Sequence, residues 1–447
     1  MSKSGSTHRA QEAAKTVFVV GLEPFNQRLL QDLDGSERFV FQDLLGYAEA
    51  VRPVSGEIDL DLLLETAERR LACHDGPIDA IIGYWDFPTS VITPILAQRH
   101  GLPAPHLEAV AACEHKYWSR LEQARSIPDM TPGFSAFDPF ADDPLAEIDL
   151  PFPFWIKPIK AHSSFLGFKI HNAEDFAAHL PTIRAGIGHF GRPFDQFLDM
   201  VNVPPELAGI GGHHMIAEEI ISEGLQCTLE GFVYGGAASV YGVIDSIRSG
   251  QHRSSFARYQ YPTTLPHAVQ ARMAAAIGRF LQHIGYDNAA FNAEFFWSPG
   301  SDRLWILEVN TRLSKSHAPM FLMVDGQTHQ KVPIDIALGR CPDLPHRAGA
   351  HALAAKFMVR VFEDGVVDKV PSADDLDRFH RRFADGMVRV LAHEDMRLAH
   401  LSYQDSYSYE LMEVFLGAMD QPSLLAAYRQ ALDLLPIHVA PIREAFT

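Results

Sequence analysis

Four cysteines among 447 residues leave little room for disulfide or zinc chemistry. Cys73, Cys113, Cys227 and Cys341 lie far apart and form no CxxC pair, which excludes the usual structural-zinc spacing and fits a reduced, cytoplasmic setting. The 22 histidines include no HExxH. No run of about 18 apolar residues occurs, so no membrane-spanning helix is expected. Residues 1–15 are polar, lack the apolar centre of a secretion signal and read as a disordered lead-in. Positive charge is scarce too: 38 Lys and Arg against 56 Asp and Glu give a formal charge of −18 and a pI near 5.6. That balance argues against nonspecific binding to nucleic acid or to anionic membrane, and any phosphate site must gather its cations locally. The glycine-rich dinucleotide turn is also missing, because the first strand ends in Gly21-Leu22-Glu23-Pro24. A literal GxGxxG at Gly186, Gly188 and Gly191 follows a helical stretch rather than a strand and reads as an ordinary turn.

What is present is an ordinary globular composition, 47% hydrophobic and 21% charged, in a chain long enough for two or three domains. Residues 16–21 form a β-branched run before a helix-like stretch at 24–33. Leu60, Leu63, Leu64, Ala67 and Leu71 recur at helical spacing, and residues 78–84 and 89–100 read as a strand and a helix. Such alternation predicts a parallel sheet with helices on both faces. Beyond a Pro- and Gly-containing corner at 101–105 the pattern becomes mixed. Strands are expected at 153–159, 215–221, 226–234 and 239–247, and a helix at 268–284. After residue 341 the pattern predicts a strand at 356–362 and helices at 407–417 and 422–435. No internal repeat or low-complexity segment is apparent.

The most informative stretch is a hairpin at residues 291–312. Its second strand carries Glu308 and Asn310 on one face, and a fold about Ser301 sets Glu294 opposite Glu308. Two carboxylates and a carboxamide among apolar neighbours repel one another unless a cation lies between them, and oxygen ligands of this kind suit Mg²⁺. Lys157 ends an apolar strand, where an ammonium is costly to bury, and Ser163, Ser164 and Gly167 follow in a small, hydroxyl-rich loop able to cover phosphates. A strand-end lysine snorkelling to water before a surface turn is the plainer alternative. Glu218, Glu219 and Ile221 sit at a hinge before Gln226, and Lys116 opens a helical segment. Residues 244–266 gather Arg248, His252, Arg253 and Arg258 in a basic loop suited to a substrate carboxylate or simply to solvent. Ser314, Lys315, Ser316 and His317 follow Arg312 and either shape an acceptor pocket or start a helix capped by Ser314.

In this order, the strand–helix region, Lys116, Lys157 with its loop, the hinge and the Glu294/Glu308/Asn310/Arg312 cluster resemble the ATP-grasp superfamily. The carboxylate–amine ligase branch fits best, with distant similarity to biotin carboxylase and to D-alanine–D-alanine ligase. The resemblance implies an α/β fold with an N-terminal Rossmann-like parallel-sheet domain at 16–111. It further implies an ATP-grasp domain at 112–340 with a lid near 153–222, and a C-terminal α+β subdomain at 341–447. It assigns Lys116, Lys157, Ser163 and Ser164 to ATP phosphates, Glu218, Glu219 and Ile221 to adenine, and Gln226 to ribose. Glu294, Glu308 and Asn310 become ligands of one or two Mg²⁺ ions, with Mn²⁺ as the alternative metal. Arg312 and Lys157 become the catalytic cations, and Arg248, Arg253, Arg258, Ser316 and His317 the substrate residues. The implied reaction joins a small carboxylate and an amine, amino acids foremost, through an acylphosphate, in a protein that associates as a homodimer. A bicarbonate-activating enzyme and a non-catalytic nucleotide-binding protein are the alternatives. Against the former, His162-Ser163-Ser164 replaces a glycine run and Gln226-Cys227-Thr228 replaces a His-x-Glu-x-Gln element.

Overall fold

The computed structural model describes residues 13–53, 56–162, 165–222, 224–249, 255–401 and 408–442. Ser163, Ser164, His252 and Arg253, all expected near the site, lie outside these residues, as does most of the N-terminal lead-in. Near the N-terminus, β1 (Lys15–Val20), β2 (Phe39–Leu45) and β3 (Ala80–Gly83) form a parallel sheet in the order β2-β1-β3. Val17 and Val19 enter one core and Phe18 and Val20 another, so β1 is covered on both faces and its sequence is continuously apolar. β2 was not anticipated; its half-exposed residues dilute the apolar signal. At the carboxyl end of this sheet Gly21 adopts φ 78° against Trp85. A Cβ there would stand 2.7 Å from Val51 and 2.8 Å from Trp85, so the close approach requires glycine.

A four-stranded antiparallel sheet follows, in the order β4-β7-β5-β6. It is built from β4 (Phe134–Phe137), β5 (Phe154–Pro158), β6 (Phe168–Ile170) and β7 (Met215–Glu219). Phe176 and Ile183 of helix Ala173–Gly186 pack on Phe154, Ile156 and Met215. The GxGxxG glycines lie in this helix and the next, Gly188–Leu198, rather than in a turn. Gly191 is needed because a Cβ would come within 2.6 Å of the Gly212 carbonyl oxygen.

The largest element is an eight-stranded, wholly antiparallel sheet in the order β12-β11-β8-β9-β10-β13-β16-β15. Its strands are β8 (Leu225–Tyr234), β9 (Ala237–Ser249), β10 (Ser255–Tyr261), β11 (Ala289–Ser298), β12 (Arg303–Asn310), β13 (Leu353–Val361), β15 (Met387–Val390) and β16 (Tyr409–Ala418). β14 (Gly365–Lys369) and β17 (His438–Pro441) pair separately. Two expectations fail here. The helix expected at 407–417 is, among the described residues, the strand β16: it is paired on both sides and mostly buried, so its apolar run lacks the alternation that marks a half-exposed strand. The basic loop at 244–266 is largely the β9–β10 hairpin.

Alternation across the eight strands separates core from site. Cys227, Leu229, Phe291, Ala293, Phe295, Leu304 and Ile306 pack with helix His267–His283. Gln226, Thr228, Glu230, Asn292 and Glu294 take the other face. In β12 the register slips by one between Phe295↔Ile306 and Glu294↔Glu308, leaving Leu307 unmatched. Without that bulge, Glu308 would share the parity of Ile306 and enter the core; with it, Glu308 and Asn310 join the polar face.

Candidate active site

Glu294 and Glu308 stand opposite each other on adjacent strands. Burial and the Glu308 charge push the Glu294 carboxyl up to about 7, the sign of an anion lacking compensation. Gln226 Nε2 donates to Glu294 at 2.7 Å, and Arg248 Nε donates to Gln226 Oε1 at 2.8 Å. The Glu308 carboxylate accepts no hydrogen bond and forms no ion pair among the described residues. Beside it, Asn310 Nδ2 donates to Asn292 Oδ1 at 3.3 Å, which leaves the Asn310 side-chain oxygen available. These oxygens fit a hard dication. Among the described residues no three Asp, Glu, His or Cys side chains converge as a self-sufficient metal cage, so Mg²⁺ here would complete its shell with phosphate oxygens or water.

Lys116 adjoins Glu308, and Lys160 and Lys157 adjoin Lys116. Lys116 opens helix Lys116–Ser126, whose N-cap is His115: Trp118 N donates to His115 Nδ1 at 3.1 Å. The Lys116 ammonium donates to the Ala161 carbonyl at 2.7 Å. Burial, with Lys160 and Lys157 nearby and only partly opposed by Glu308, lowers it to about 7. Lys160, unremarked in the sequence, is buried in an ion pair with Glu114, which also accepts from Thr311 Oγ1 at 2.6 Å. Lys157 lies 2.6 Å from Glu218. Burial raises the Glu218 carboxyl, but Arg120 and Lys157 outweigh it and hold it at about 2. Arg120 in turn donates from Nε to Glu218 at 2.6 Å, and to the Ile306 and Leu307 carbonyls at 3.0 and 2.8 Å. One buried guanidinium thus ties the four-stranded sheet to β12.

These contacts revise several expectations. The main chain of Glu218 lies in a strand paired on both sides, and its carboxylate is held by Arg120 and Lys157. Glu219 turns both its amide, to Gly133 O at 2.9 Å, and its carboxylate, to Gly133 N at 2.7 Å, back onto the chain. β7 ends there, and the main chain free of sheet pairing begins beyond it, near Ile221. Gln226 is 5% exposed, with both ends of its amide engaged, and offers a ribose little. His317 is 2% exposed and donates from Nδ1 to Glu230 at 2.6 Å, so it supports the site from beneath rather than facing substrate. Ser314 forms no side-chain cap; its amide donates to Glu230 at 3.2 Å. Arg258 points away from Arg248: it pairs in register with Ile247, on the opposite face, and lies 5.8 Å from the Phe357 ring.

Glu230 and Asp86 were missed by sequence reasoning. Glu230 is fully buried, accepts from Asn292 Nδ2 at 2.7 Å, and is pushed up to about 7 by burial despite His329 and Arg312. Asp86, just past β3, accepts from Arg312 Nε at 3.0 Å. Burial raises its carboxyl, but Arg312, His162 and Lys160 outweigh it and hold it below the usual range. An acid within a strand and a Trp-Asp-Phe-Pro turn at a strand's carboxyl end were the available signals.

Further along the same face, Tyr259 packs edge-on to His317 at 5.2 Å, and the Lys356 ammonium lies 5.8 Å from its ring. Lys356 donates to Glu413 at 2.6 Å and to Ser316 Oγ at 3.4 Å, while Arg389 reaches Glu413 at 3.5 Å. The polar face is therefore continuous from the hairpin to β15.

Residues 260–342 match the family model described as the carbamoyl-phosphate synthase L chain, ATP binding domain, a span that includes β11, β12 and Arg312. No curated protein matches in sequence. In fold, an L-amino acid ligase from Bacillus licheniformis aligns over 96% of this chain and 100% of its own, with TM-score 0.72 and 14% identity. A biotin carboxylase from Campylobacter jejuni aligns over 96% and 92%, with TM-score 0.62 and 14% identity. A carboxyaminoimidazole ribonucleotide synthase from Aspergillus clavatus, solved with ATP, aligns over 94% and 98%, with TM-score 0.61 and 10% identity. The chain has the ATP-grasp fold that these structures share. No helix among the described residues is long and apolar enough to cross a membrane.

Proposed function

We propose that this chain is an ATP-dependent, ADP-forming ligase that activates a carboxylate as an acylphosphate and joins it to an amine. The observation that carries this reading is the facing pair Glu294 and Glu308, with Lys116, Lys157, Lys160 and Arg312 gathered around it in a strongly acidic chain. Mg²⁺, when bound, neutralises phosphate oxygens as negative charge passes to ADP. Glu294, Glu308 and Asn310 hold it. Lys116 and Lys157 orient the phosphates, and main chain near Ile221 borders adenine. In this reading residues 16–111 close over the acceptor, 112–340 bind ATP, and 341–447 extend the ATP-binding sheet.

A carboxylate oxygen of the substrate attacks the γ-phosphorus, and the bond to the β-phosphate bridging oxygen breaks to release ADP. An amine nitrogen then attacks the acyl carbon, loses a proton, and phosphate departs with its bridging oxygen. Arg312, oriented by Asp86, pairs with phosphoryl oxygens in the first step and with the tetrahedral oxyanion in the second. The fold likeness to an L-amino acid ligase across both chains supports amino acids as the substrate class. ADP release measured with pairs of amino acids is the test. Turnover requiring both a carboxylate and an amine is expected. Turnover requiring bicarbonate instead would move the chain to the carboxyphosphate-forming reaction, and ATP binding without turnover under any mixture would contradict the ligase reading.

A further inference from the structure

Past Arg312 the chain leaves the sheet through a short turn, Lys315–His317, which carries a lysine to a place that no ATP or metal role requires. The Lys315 ammonium lies 4.3 Å from the centre of the Trp85 ring. That ring is fixed, because its Nε1 donates to the Gly21 carbonyl at 2.7 Å and Tyr47 packs edge-on against it at 5.0 Å. Lys315 is thereby held at the carboxyl ends of β1 and β3, one residue along from the Asp86–Arg312 pair. It forms no ion pair and no hydrogen bond among the described residues.

The charged groups around it are Glu413, Arg389, Lys356 and Glu23. Each of these except Arg389 is already closely bound. Lys356 holds Glu413 at 2.6 Å, and Glu23 caps helix Pro24–Gln31, accepting from Phe25 N at 2.9 Å and Asn26 N at 3.0 Å. Arg389 reaches Glu413 only at 3.5 Å and otherwise senses Glu23 and Tyr47. Glu410 is matched by Arg360 at 2.7 Å. Four cations, Lys315, Lys356, Arg389 and Arg360, therefore face three anions, Glu413, Glu23 and Glu410, among the described residues. One negative charge is wanting. The neighbouring Tyr84 hydroxyl, on a residue 1% exposed, also has no hydrogen-bond partner among the described residues. Burial lowers Lys315 to about 8, so it still carries charge at neutral pH and favours an anion against it.

We propose that Lys315, assisted by Arg389 and walled by Trp85 and Tyr47, binds a carboxylate that takes no part in the chemistry, the free carboxylate of an amino acid whose amine is the nucleophile. This rests on the ligase reading and assigns the amine side of the same site. Arg312 handles the reacting acyl group, and Lys315, three residues on, anchors the nucleophile by its spectator group. An ammonium against an aromatic face suits a planar carboxylate, which it meets with up to three N–H donors. Lys356 and Glu413, closed upon each other, form the floor.

The test compares amine substrates with and without that charge. Proteinogenic amino acids are screened in pairs by ADP release, and the amino acid serving as nucleophile is then replaced by its carboxamide. In the native enzyme the carboxamide should show a KM roughly 10- to 100-fold higher than the amino acid, with the KM for ATP unchanged. In Lys315→Gln that preference should collapse to within about threefold, and Lys315→Arg should restore most of it. Equal KM values for amino acid and carboxamide in the native enzyme would overturn the proposal without any variant. So would a Lys315→Gln enzyme that keeps the preference, or one whose KM rises equally for ATP. Absence of amine-stimulated ADP release altogether would instead strike the ligase reading.

Discussion

At the hairpin end of the eight-stranded sheet, Glu294 and Glu308 face each other, and neither forms an ion pair among the described residues. At the opposite end Glu413 is held by Lys356 at 2.6 Å and Arg389 at 3.5 Å. Both sets lie on one face of one sheet. In the first, burial and the neighbouring charge make the carboxylates repel, and one of them retains its proton to about 7. Such a site gains stability when a cation and phosphates arrive. The second is complete within the protein apart from Lys315. Buried ion pairs of that sort add little net stability over an apolar core, but losing one partner is costly. On the proposed reading, the contrast separates a place that recruits ATP and metal from a place that holds its own geometry around an organic substrate.

Glu308→Gln should break the first end outright. Turnover is expected to fall by about 10³-fold or more, while thermal melting stays level or rises, because a repelling charge has gone. Activity retained in the variant would remove the metal assignment. Lys356→Met should break the second end differently, leaving Glu413 with one distant partner. A stability loss of about 3–5 kcal/mol is expected in urea melts, with Mg²⁺ affinity unaltered; a change in Mg²⁺ affinity of comparable size would mean the two ends are not separable. Arg120→Ala removes the guanidinium joining β7 to β12 and leaves Glu218 with Lys157 as its one remaining cation, at a cost of about 3 kcal/mol. A neutral melt would show that the link is already hydrated.

The smallest effect concerns pH. The Glu294 carboxyl titrates higher in the folded protein than its ordinary value of 4.5, reaching about 7. Its contribution to metal-free stability is therefore full below about pH 4.5 and is lost as pH rises through about 7. Mg²⁺ competes with the same proton, so its affinity should be about tenfold weaker near pH 6 than near pH 8, as read by calorimetric titration. In Glu308→Gln this dependence should move to lower pH, since the neighbouring charge is absent. A pH-independent affinity would place the metal elsewhere.

Much of this was legible in the sequence. Glu308 and Asn310 two apart on a strand, with Glu294 across a turn, identified the polar face. The pairing of Glu294 with Glu308 nevertheless depends on something alternation cannot show. The hairpin closes with Ser298 opposite Arg303 and Trp297 opposite Leu304, a register that without the bulge would set Glu294 against Leu307. The extra residue restores the pairing, and nothing in Leu304-Trp305-Ile306-Leu307 announces it. Glu230 and Asp86 were hidden because their roles come from strands distant in sequence. The helix expected at 407–417 proved to be β16, because a strand whose residues are mostly buried on both faces, with Glu410 and Glu413 among apolar neighbours, lacks strict alternation. Gln226 looked available because sequence conveys which residue types are present, not that Arg248 and Glu294 occupy both ends of its amide.

The most direct measurement of the central claim is trapping of the activated carboxylate with hydroxylamine. The enzyme is incubated with ATP, Mg²⁺ and individual amino acids, and both hydroxamate and ADP are quantified. The account predicts hydroxamate from a specific carboxylate, formed in step with ADP and absent in Glu308→Gln. ADP release that proceeds without any hydroxamate, or that depends on bicarbonate alone, would contradict it.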